Sequence, residues 1–298
     1  MVNRYTLLKG LGVLFVGILC LFVLVFFYTY FTGGEPRLLT FLGGEGVGVL
    51  LIEGSIDDSR EAIKSLKRFA NTKRIKAVVV RIDSPGGAVV PTQEIYEEIE
   101  KLRKKKPVIA SLGGMATSGG YYIASAAHQI VANPGTVTGS IGVIMELANV
   151  EGLMKMLGLK GYNIKSGPHK DIGSPFKPLS PEGKAILQSL VENVHAQFVR
   201  AVARGRGKRL PVKTVRKLAD GRVYSGEQAK AAGLVDVLGT MEDAIELAAK
   251  RGSIEGEPQI VYAQTRKRSW WEHLLFSFLS QQLENRERWG LRYQWSPS

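Results

Sequence analysis

A serine and a lysine in two short segments have the chemistry needed to hydrolyse a peptide bond. Ser118 lies in Ala-Thr-Ser-Gly-Gly-Tyr-Tyr, and Lys170 follows in Lys-Ser-Gly-Pro-His-Lys-Asp-Ile. Small neighbours let a carbonyl group approach a serine closely and leave backbone N–H groups bare for an oxyanion. A lysine whose pKa is lowered by burial can take the serine's proton without a histidine. The pair therefore predicts acyl transfer, with the Lys170 amine uncharged, dry and within reach of the Ser118 hydroxyl.

Two further segments accompany this pair. Asp-Ser-Pro-Gly-Gly at 83–87 follows an apolar run, and Thr-Gly-Ser-Ile-Gly occupies 138–142. In order and spacing, the four segments resemble the short, single-domain form of the signal peptide peptidase A family. Its members are serine–lysine proteases of the caseinolytic-protease/crotonase superfamily. The likeness extends from about residue 46 to 249. Any one segment is a weak signal, whereas four in matching order are specific.

The resemblance implies a role for individual residues. Ser118 matches the nucleophile, Lys170 the general base, and Ser140 the hydroxyl that orients the lysine amine. The implied oxyanion-hole donors are Gly86 and Gly119, with the choice between Gly86 and Gly87 left open. The residues expected to contact substrate are Gly87, Met115 and Tyr121. No metal and no cofactor is expected, because the sequence has no His-Glu-x-x-His run, Cys/His cluster or phosphate-binding Gly-Lys-Ser/Thr.

A Ser–His–Asp site is the nearest alternative within the enzyme class. Where caseinolytic proteases carry their histidine, this chain has Val143. His169 adjoins Lys170 but points the other way if that stretch is extended. All four histidines are interpreted as surface residues: His128, His169, His195 and His273.

Strands and helices must alternate to position these residues. Apolar runs at 47–52, 75–82 and 108–112 predict strands buried on both faces, and helical spacing predicts helices at 57–72, 92–104, 118–127 and 179–206. This order predicts an α/β fold of the crotonase/caseinolytic-protease type, with repeated β-α-β units and a parallel sheet. In such a sheet the active site lies beyond the carboxyl ends of the strands, where both glycine-rich turns fall.

The N-terminal segment predicts a membrane anchor. Residues 10–31 carry no charge and are long enough to cross a hydrocarbon core of about 30 Å. No Ala-x-Ala-like cleavage site follows, so a retained anchor is favoured over a signal peptide. Arg4 and Lys9 before the span favour a cytoplasmic N-terminus. The expectation is a single-pass protein of the cytoplasmic membrane with its catalytic domain on the extracytoplasmic side.

The predicted organisation has five parts. They are a cytoplasmic N-terminus at 1–9, the transmembrane anchor at 10–31, a linker at 32–46, the Ser–Lys peptidase domain at 47–252 and a C-terminal tail at 253–298. An apolar and aromatic stripe over 270–279 in the tail is compatible with a membrane interface, a neighbouring subunit or its own domain. The only cysteine, Cys20, lies in the predicted anchor, so the peptidase domain has no disulfide.

The net charge of the chain and its resemblance to the family limit which partners and functions are expected. The net charge of +13 is spread along the chain without a nucleic-acid motif, which favours anionic lipid headgroups over nucleic acid. The resemblance implies a homo-oligomeric ring that degrades signal peptides left in the membrane, and other apolar peptides. The alternatives are a crotonase-type enzyme acting on acyl-coenzyme A and a non-catalytic membrane scaffold of the same fold.

Overall fold

A computed structural model describes Gly17, Leu19 and residues 44–263 and 292–294. The chain divides into two compact units, Met1–Gly44 and Glu45–Ser298. Within the described residues, no helix is both long and apolar enough to cross a membrane. The predicted anchor at 10–31, apart from Gly17 and Leu19, and the stripe at 270–279 lie outside the described residues.

The second unit alternates strands and helices over most of its length. The strands are β1 (Gly46–Glu53), β2 (Ile75–Ser84), β3 (Gly86–Ala88), β4 (Val108–Thr117), β5 (Gln129–Ala132), β6 (Val137–Gly139), β7 (Val223–Ser225), β8 (Val237–Leu238), β9 (Gln259–Tyr262) and β10 (Arg292–Gln294). The helices are α1 (Arg60–Asn71), α2 (Val89–Arg103), α3 (Gly119–Ser125), α4 (Glu151–Met156), α5 (Pro181–Arg206), α6 (Val212–Leu218), α7 (Gly226–Ala231) and α8 (Met241–Arg251), with a 3₁₀ turn at Gly207–Arg209.

The main sheet is mostly parallel because its strands are joined by helical crossovers. Its order is β7-β6-β4-β2-β1-β9, and β5 pairs with both β4 and β8. Only β6 and β7 run antiparallel among these pairs. Alternate residues of β1 enter two cores: Leu50 joins the core formed with α1, α2, α3 and α5, whereas Val49 joins the core under α8. The predicted α/β architecture is confirmed in this form, as a mixed sheet.

Strand β4 changes its neighbour halfway along. Ile109 to Leu112 pair with β5, whereas Met115 to Thr117 pair with β6. The change falls at Gly113 and Gly114, and a Cβ on Gly113 would lie 2.8 Å from the Asp83 carboxylate. The strand thus continues beyond residue 112, where the apolar pattern ends, and its last three residues lead directly to Ser118.

A buried ion pair lies beneath the end of α5. Arg206, which is fully buried, donates to both carboxylate oxygens of Asp236 at 2.7 Å, and Arg209 pairs with the same carboxylate. Burial alone would raise the pKa of Asp236, but the hydrogen bonds and charge of Arg206 hold that pKa below its ordinary value. The backbone N–H of Ile130 also donates to Asp236, at 2.7 Å. This pair therefore joins α5 to β5 and to the segment before β8.

Candidate active site

The carboxyl ends of three strands meet at one place. Ser84 at the end of β2 pairs with Ala116 of β4, and Thr117 of β4 pairs with Gly139 of β6. The Thr138 hydroxyl donates to the Ala116 carbonyl at 2.7 Å. We call residues 116–119 and 138–140 the serine corner. It brings two of the sequence-predicted residues, Ser118 and Ser140, to adjacent strand ends.

Ser118 has a backbone conformation that L-residues seldom adopt. Its φ is 53° and its ψ is −115°, between the end of β4 and the start of α3. Its N–H donates to the Gly139 carbonyl at 2.8 Å, and its carbonyl accepts from Tyr122 N–H at 2.8 Å. Such strain persists only where the surroundings enforce it, and it is common at nucleophiles held on a strand-to-helix turn. The residue is 1% exposed, so the turn presents Ser118 inside the protein.

Ser140 is held in a similar way. Its φ is 49°, it is buried, and its N–H donates to the Arg222 carbonyl at 2.8 Å. Gly139, directly before it, has a φ of +83°, and a Cβ there would lie 2.5 Å from the Tyr224 ring. Only glycine satisfies both conditions at this position. The sequence Thr-Gly-Ser therefore fixes where Ser140 lies relative to Ser118.

The Asp-Ser-Pro-Gly-Gly turn lies against the start of α3. A Cβ on Gly119 would lie 3.2 Å from the Gly86 Cα, so the two glycines touch. The Ser84 hydroxyl donates to the Gly54 carbonyl at 2.6 Å and accepts from the Gly86 N–H at 3.0 Å. Gly86 N–H is therefore already engaged. The Gly86 carbonyl and the Ala88 N–H both bond to Ile56, so the polar groups of Gly87 between them face the opposite edge of β3.

The expected substrate contacts differ in position. Met115 is half-buried on β4, and its N–H donates to Asp83 Oδ1 at 3.0 Å. Tyr121 is fully buried, and its hydroxyl donates to the Leu234 carbonyl at 2.8 Å. Burial raises the pKa of Tyr121. Tyr121 therefore points into the core, whereas the ring of the next residue, Tyr122, stacks on Tyr293 of β10.

Lys170 does not lie where the sequence-based hypothesis places it. Its side chain is exposed, and within the described residues no hydrogen bond joins it to Ser118 or Ser140. The expectation of a buried amine is therefore wrong for a single copy of the chain. No residue between 142 and 180, which we call the lysine segment, is buried. Its exposed apolar side chains are Ile144, Leu147, Leu153, Met156, Leu157, Leu159, Tyr162, Ile164, Phe176 and Leu179.

The carboxylate of Asp171, the residue after Lys170, is paired with two other lysine side chains. Its carboxylate accepts from Lys165 at 2.8 Å and pairs with Lys177 at 2.7 Å. The hydrogen bonds from Lys165 and Lys177 hold the pKa of Asp171 well below its ordinary value. This carboxylate therefore stays charged and compensated, and it makes no ion pair with Lys170.

The described histidines do not form a catalytic group with Ser118. His128 accepts from the Val108 N–H at 3.0 Å through Nδ1, and burial lowers its pKa. His169 is exposed and lies 3.5 Å from Glu182. His195 is half-buried, and its Nε2 has no partner among the described residues. The surface interpretation thus holds for His169, whereas His128 and His195 are half-buried; His273 lies outside the described residues.

Two structural roles escaped the sequence reasoning. Ser84 orients the glycine turn through its hydroxyl, and its place inside the Asp-Ser-Pro-Gly-Gly motif was the available signal. Tyr293 on β10 packs against that same turn, in the register Tyr293 to Gly87. No local pattern connects β10 to a strand so distant in sequence.

The chain belongs to peptidase family S49. The model of that family matches residues 100–255, just over half of the chain, and the model of Clp protease matches residues 48–135. The second match agrees with the observed α/β fold. Family membership confirms the predicted class of enzyme, a serine protease, and the resemblance to signal peptide peptidase A.

Two relatives named as putative proteases or peptidases are similar to this chain. A putative protease of Synechocystis sp. is 46% identical over 66% of this chain and 70% of its own length. A putative signal peptide peptidase SppA of Enterococcus faecium is 37% identical over 67% of this chain and 58% of its own length. The match therefore covers only part of the length of each relative. A solved membrane-bound stomatin-specific protease superposes with a TM-score of 0.48 and 17% identity, over 75% of this chain and all of that one.

Proposed function

We propose that this protein is a membrane-anchored serine endopeptidase in which Ser118 is the nucleophile and Lys170 the general base. The observation that carries the proposal is the backbone of Ser118, a strained and buried turn whose N–H is bonded to Gly139 and whose next residue, Gly119, lies against Gly86. Ser118 combines a φ of 53° with a ψ of −115°, outside the left-handed helical region, and such a conformation persists only where the surroundings enforce it.

The oxyanion donors in this proposal are the N–H groups of Gly87 and Gly119. Gly119 N–H precedes the first intrahelical hydrogen bond of α3, which Tyr122 makes to Ser118, and so it has no partner within the helix. Gly86 N–H is bonded to Ser84, which favours Gly87 where the sequence left the choice open. Two such donors stabilise the negative oxygen of a tetrahedral intermediate.

The reaction then follows from these groups. Neutral lysine takes the proton of the Ser118 hydroxyl while that oxygen attacks a peptide carbonyl. The protonated lysine gives the proton to the leaving amine, and water releases the acyl group. A lysine must lose about 3 pKa units to act as base near neutral pH, which requires removal from water. In this proposal the Ser140 hydroxyl, at the strand end next to Ser118, would accept from or donate to the amine.

We infer that Lys170 reaches Ser118 of a neighbouring copy. In one copy Lys170 is exposed, and the segment around it presents many apolar side chains to water. An exposed apolar surface of this kind is typical of an interface. Association through the lysine segment would bury the apolar side chains and dehydrate the amine together. A closed ring of copies, the assembly expected from the sequence, repeats such a contact at every subunit.

The proposed substrates are signal peptides that remain in the membrane after secretory cleavage. An anchor at 10–31 would keep the active site near the bilayer, where apolar peptides are concentrated. The relative named signal peptide peptidase SppA supports this substrate class. Arg4 and Lys9, which precede the uncharged residues 10–31, support a cytoplasmic N-terminus and a catalytic domain outside the cytoplasmic membrane.

Mixing two inactive variants tests the proposal. Ser118→Ala and Lys170→Ala should each lower kcat/KM on an apolar peptide by about 10³-fold or more, whereas His169→Ala keeps most of the activity. Co-expression of Ser118→Ala with Lys170→Ala should restore part of the activity, because some contacts then join an intact serine to an intact lysine. An active Lys170→Ala protein would refute the dyad. Two inactive variants that stay inactive together would refute the contribution between copies.

A further inference from the structure

Strands β2 and β4 run out of step just before the serine corner. Ile82 pairs with Leu112, and the next pair lies two residues further along β2 but four residues further along β4. Asp83 thus lies opposite residues 113–115, which we call the β4 bulge. A bulge redirects a strand and leaves backbone groups of its extra residues without a strand partner. This bulge falls where β4 leaves β5 for β6, shortly before Ser118.

Two side chains bind the backbone groups of the β4 bulge. The carboxylate of Asp83 accepts from the Met115 N–H at 3.0 Å. The hydroxyl of Thr136, which lies directly before β6, donates to the Gly113 carbonyl at 2.8 Å. Strands β2 and β6 flank this part of β4 on opposite sides. The two side chains therefore hold β4 from both sides where its regular pairing is interrupted.

The carboxylate of Asp83 also packs closely on the bulge. A Cβ on Gly113 would lie 2.8 Å from that carboxylate, which is too close for a carbon atom, and one on Gly114 would lie 3.8 Å from it. Just before the bulge, the guanidinium group of Arg81 donates to the Leu112 carbonyl at 3.0 Å. The β4 bulge thus has one specified shape, which only a glycine at position 113 permits.

The two contacts differ in their access to water. Asp83 is exposed, whereas Thr136 is 2% exposed and Gly113 is buried. Water can therefore take the place of the Asp83 carboxylate at the Met115 N–H, but it has no access to the Gly113 carbonyl. A buried carbonyl that loses its donor costs more than an N–H that exchanges its partner for water. Loss of the Thr136 hydroxyl should thus have the larger effect.

We infer that Asp83 and Thr136 are positioning residues for the reaction of Ser118. The inference rests on the proposed function, because it takes Ser118 as the nucleophile. The two side chains fix the direction in which residues 115–117 carry Ser118 into its strained turn. A nucleophile displaced by about 1 Å can lose about 10²-fold in rate. Loss of either contact should therefore lower kcat more than it raises KM.

The buried contact is tested by Thr136→Val in the full-length protein, because valine keeps the shape of threonine and lacks the hydroxyl donor. We expect kcat on an apolar peptide to fall by about 10- to 100-fold, with KM changed by less than about three-fold. Thr136→Ser restores a hydroxyl and should return kcat to within about three-fold of the wild type. Unchanged kcat in folded Thr136→Val protein, or a serine variant as slow as the valine variant, would overturn the role of Thr136.

Thr72→Val is the matched control for this substitution. The Thr72 hydroxyl also donates to a backbone carbonyl, that of Arg68 at 2.7 Å, but it does so at the end of α1. This variant should change neither kcat nor KM. An equal loss of kcat in Thr72→Val would mean that any lost threonine hydrogen bond slows the enzyme, and it would overturn the special role of the bulge.

The exposed contact is tested by a pair of variants at Asp83, which also serve if Thr136→Val does not fold. Asp83→Asn keeps an Oδ1 acceptor and should hold kcat within about two-fold of the wild type. Asp83→Ala removes the acceptor and should lower kcat by about five- to ten-fold, since water replaces it only in part. Equal kcat in the two variants would overturn the role of Asp83.

Hydrogen exchange separates this inference from the proposed function, because it needs no catalysis. Amide exchange over residues 113–119, followed by mass spectrometry, should quicken by about ten-fold or more in Thr136→Val and in Asp83→Ala. Unchanged exchange in both would overturn the contacts at the bulge. Labelling by a serine-directed fluorophosphonate, lost in Ser118→Ala, reports the nucleophile alone. Failed labelling would overturn the nucleophile while faster exchange still supports the contacts, and faster exchange with wild-type kcat would overturn the positioning role.

Discussion

The serine corner and the lysine segment are built in opposite ways. In the corner, Ser118 and Ser140 are buried, and their strained backbones are fixed by hydrogen bonds to Gly139 and Arg222. In the lysine segment no residue is buried, and Lys170 projects from a surface with exposed apolar side chains. The surroundings of the proposed nucleophile are thus complete within one chain, whereas the proposed base is exposed to water there. Under the proposed function, assembly rather than folding would supply the missing half of the site.

The largest effect is expected from polar substitutions in the lysine segment. Leu157→Ser with Ile164→Ser should lower kcat/KM by about 10³-fold, as severely as loss of the base itself, because the amine then stays in water. Sedimentation velocity should show smaller assemblies. Val212→Ser, an exposed apolar residue outside the segment, is the control and should change neither. Full activity of the double variant would contradict the division between the two regions.

Two aspartates that each contact two basic residues provide the next comparison. Asp236→Ala should lower the free energy of unfolding by about 3–5 kcal/mol, because the buried Arg206 loses its partner. Asp171→Ala removes a carboxylate that pairs with Lys165 and Lys177 in the lysine segment, and we expect no measurable change. Urea unfolding measures both. Equal effects would mean that the lysine segment contributes to folding as the domain core does.

Two glycines with positive φ allow a finer comparison. Gly139→Ala should cost about 2–5 kcal/mol, because the left-handed backbone and the Tyr224 ring both oppose a Cβ. Gly158 of the lysine segment has a φ of +67° with open space around it, so Gly158→Ala should cost only about 1–2 kcal/mol. Chemical denaturation provides the two values. A larger loss at Gly158 would show packing there that a single copy lacks.

The smallest effect is a pH dependence from Asp236. Its pKa in the folded protein lies below the ordinary value of about 3.9. Its contribution to stability is therefore complete above that ordinary value and is lost as the pH falls through the folded pKa. Urea unfolding between pH 5 and pH 3 should show a steeper decline for the wild type than for Asp236→Asn. Parallel declines would rule out this carboxylate as a source of acid sensitivity.

The apolar pattern predicted the framework of the fold well. Strands β1 and β2 and helices α1 and α5 lie within a few residues of their predicted positions, because buried runs and helical spacing leave a local signal. The second half of β4 was missed, since Gly113 and Gly114 interrupt the pattern while the strand continues. Glycine carries no apolar side chain from which a strand could be recognised.

The candidate site also has parts that the sequence predicted and parts that it did not. The predicted meeting of Ser118, Ser140 and the glycine turn follows from strand ends that share one edge of the sheet, a property of topology. The predicted burial of Lys170 failed, because its surroundings depend on surfaces that the surrounding sequence does not specify. The pairing of β10 with β3 was equally hidden, because it connects distant parts of the chain.

The change of neighbour along β4 also sets an order of events during translation. The residues that lead into Ser118 pair with β6, and β6 in turn pairs with β7, which ends at Ser225. A ribosome-bound chain that has not yet extruded β7 lacks the strand that supports β6, and with it the outer support of the strand leading to Ser118. Under the proposed function, the surroundings of the reactive serine are therefore complete only after residue 225 has left the ribosome.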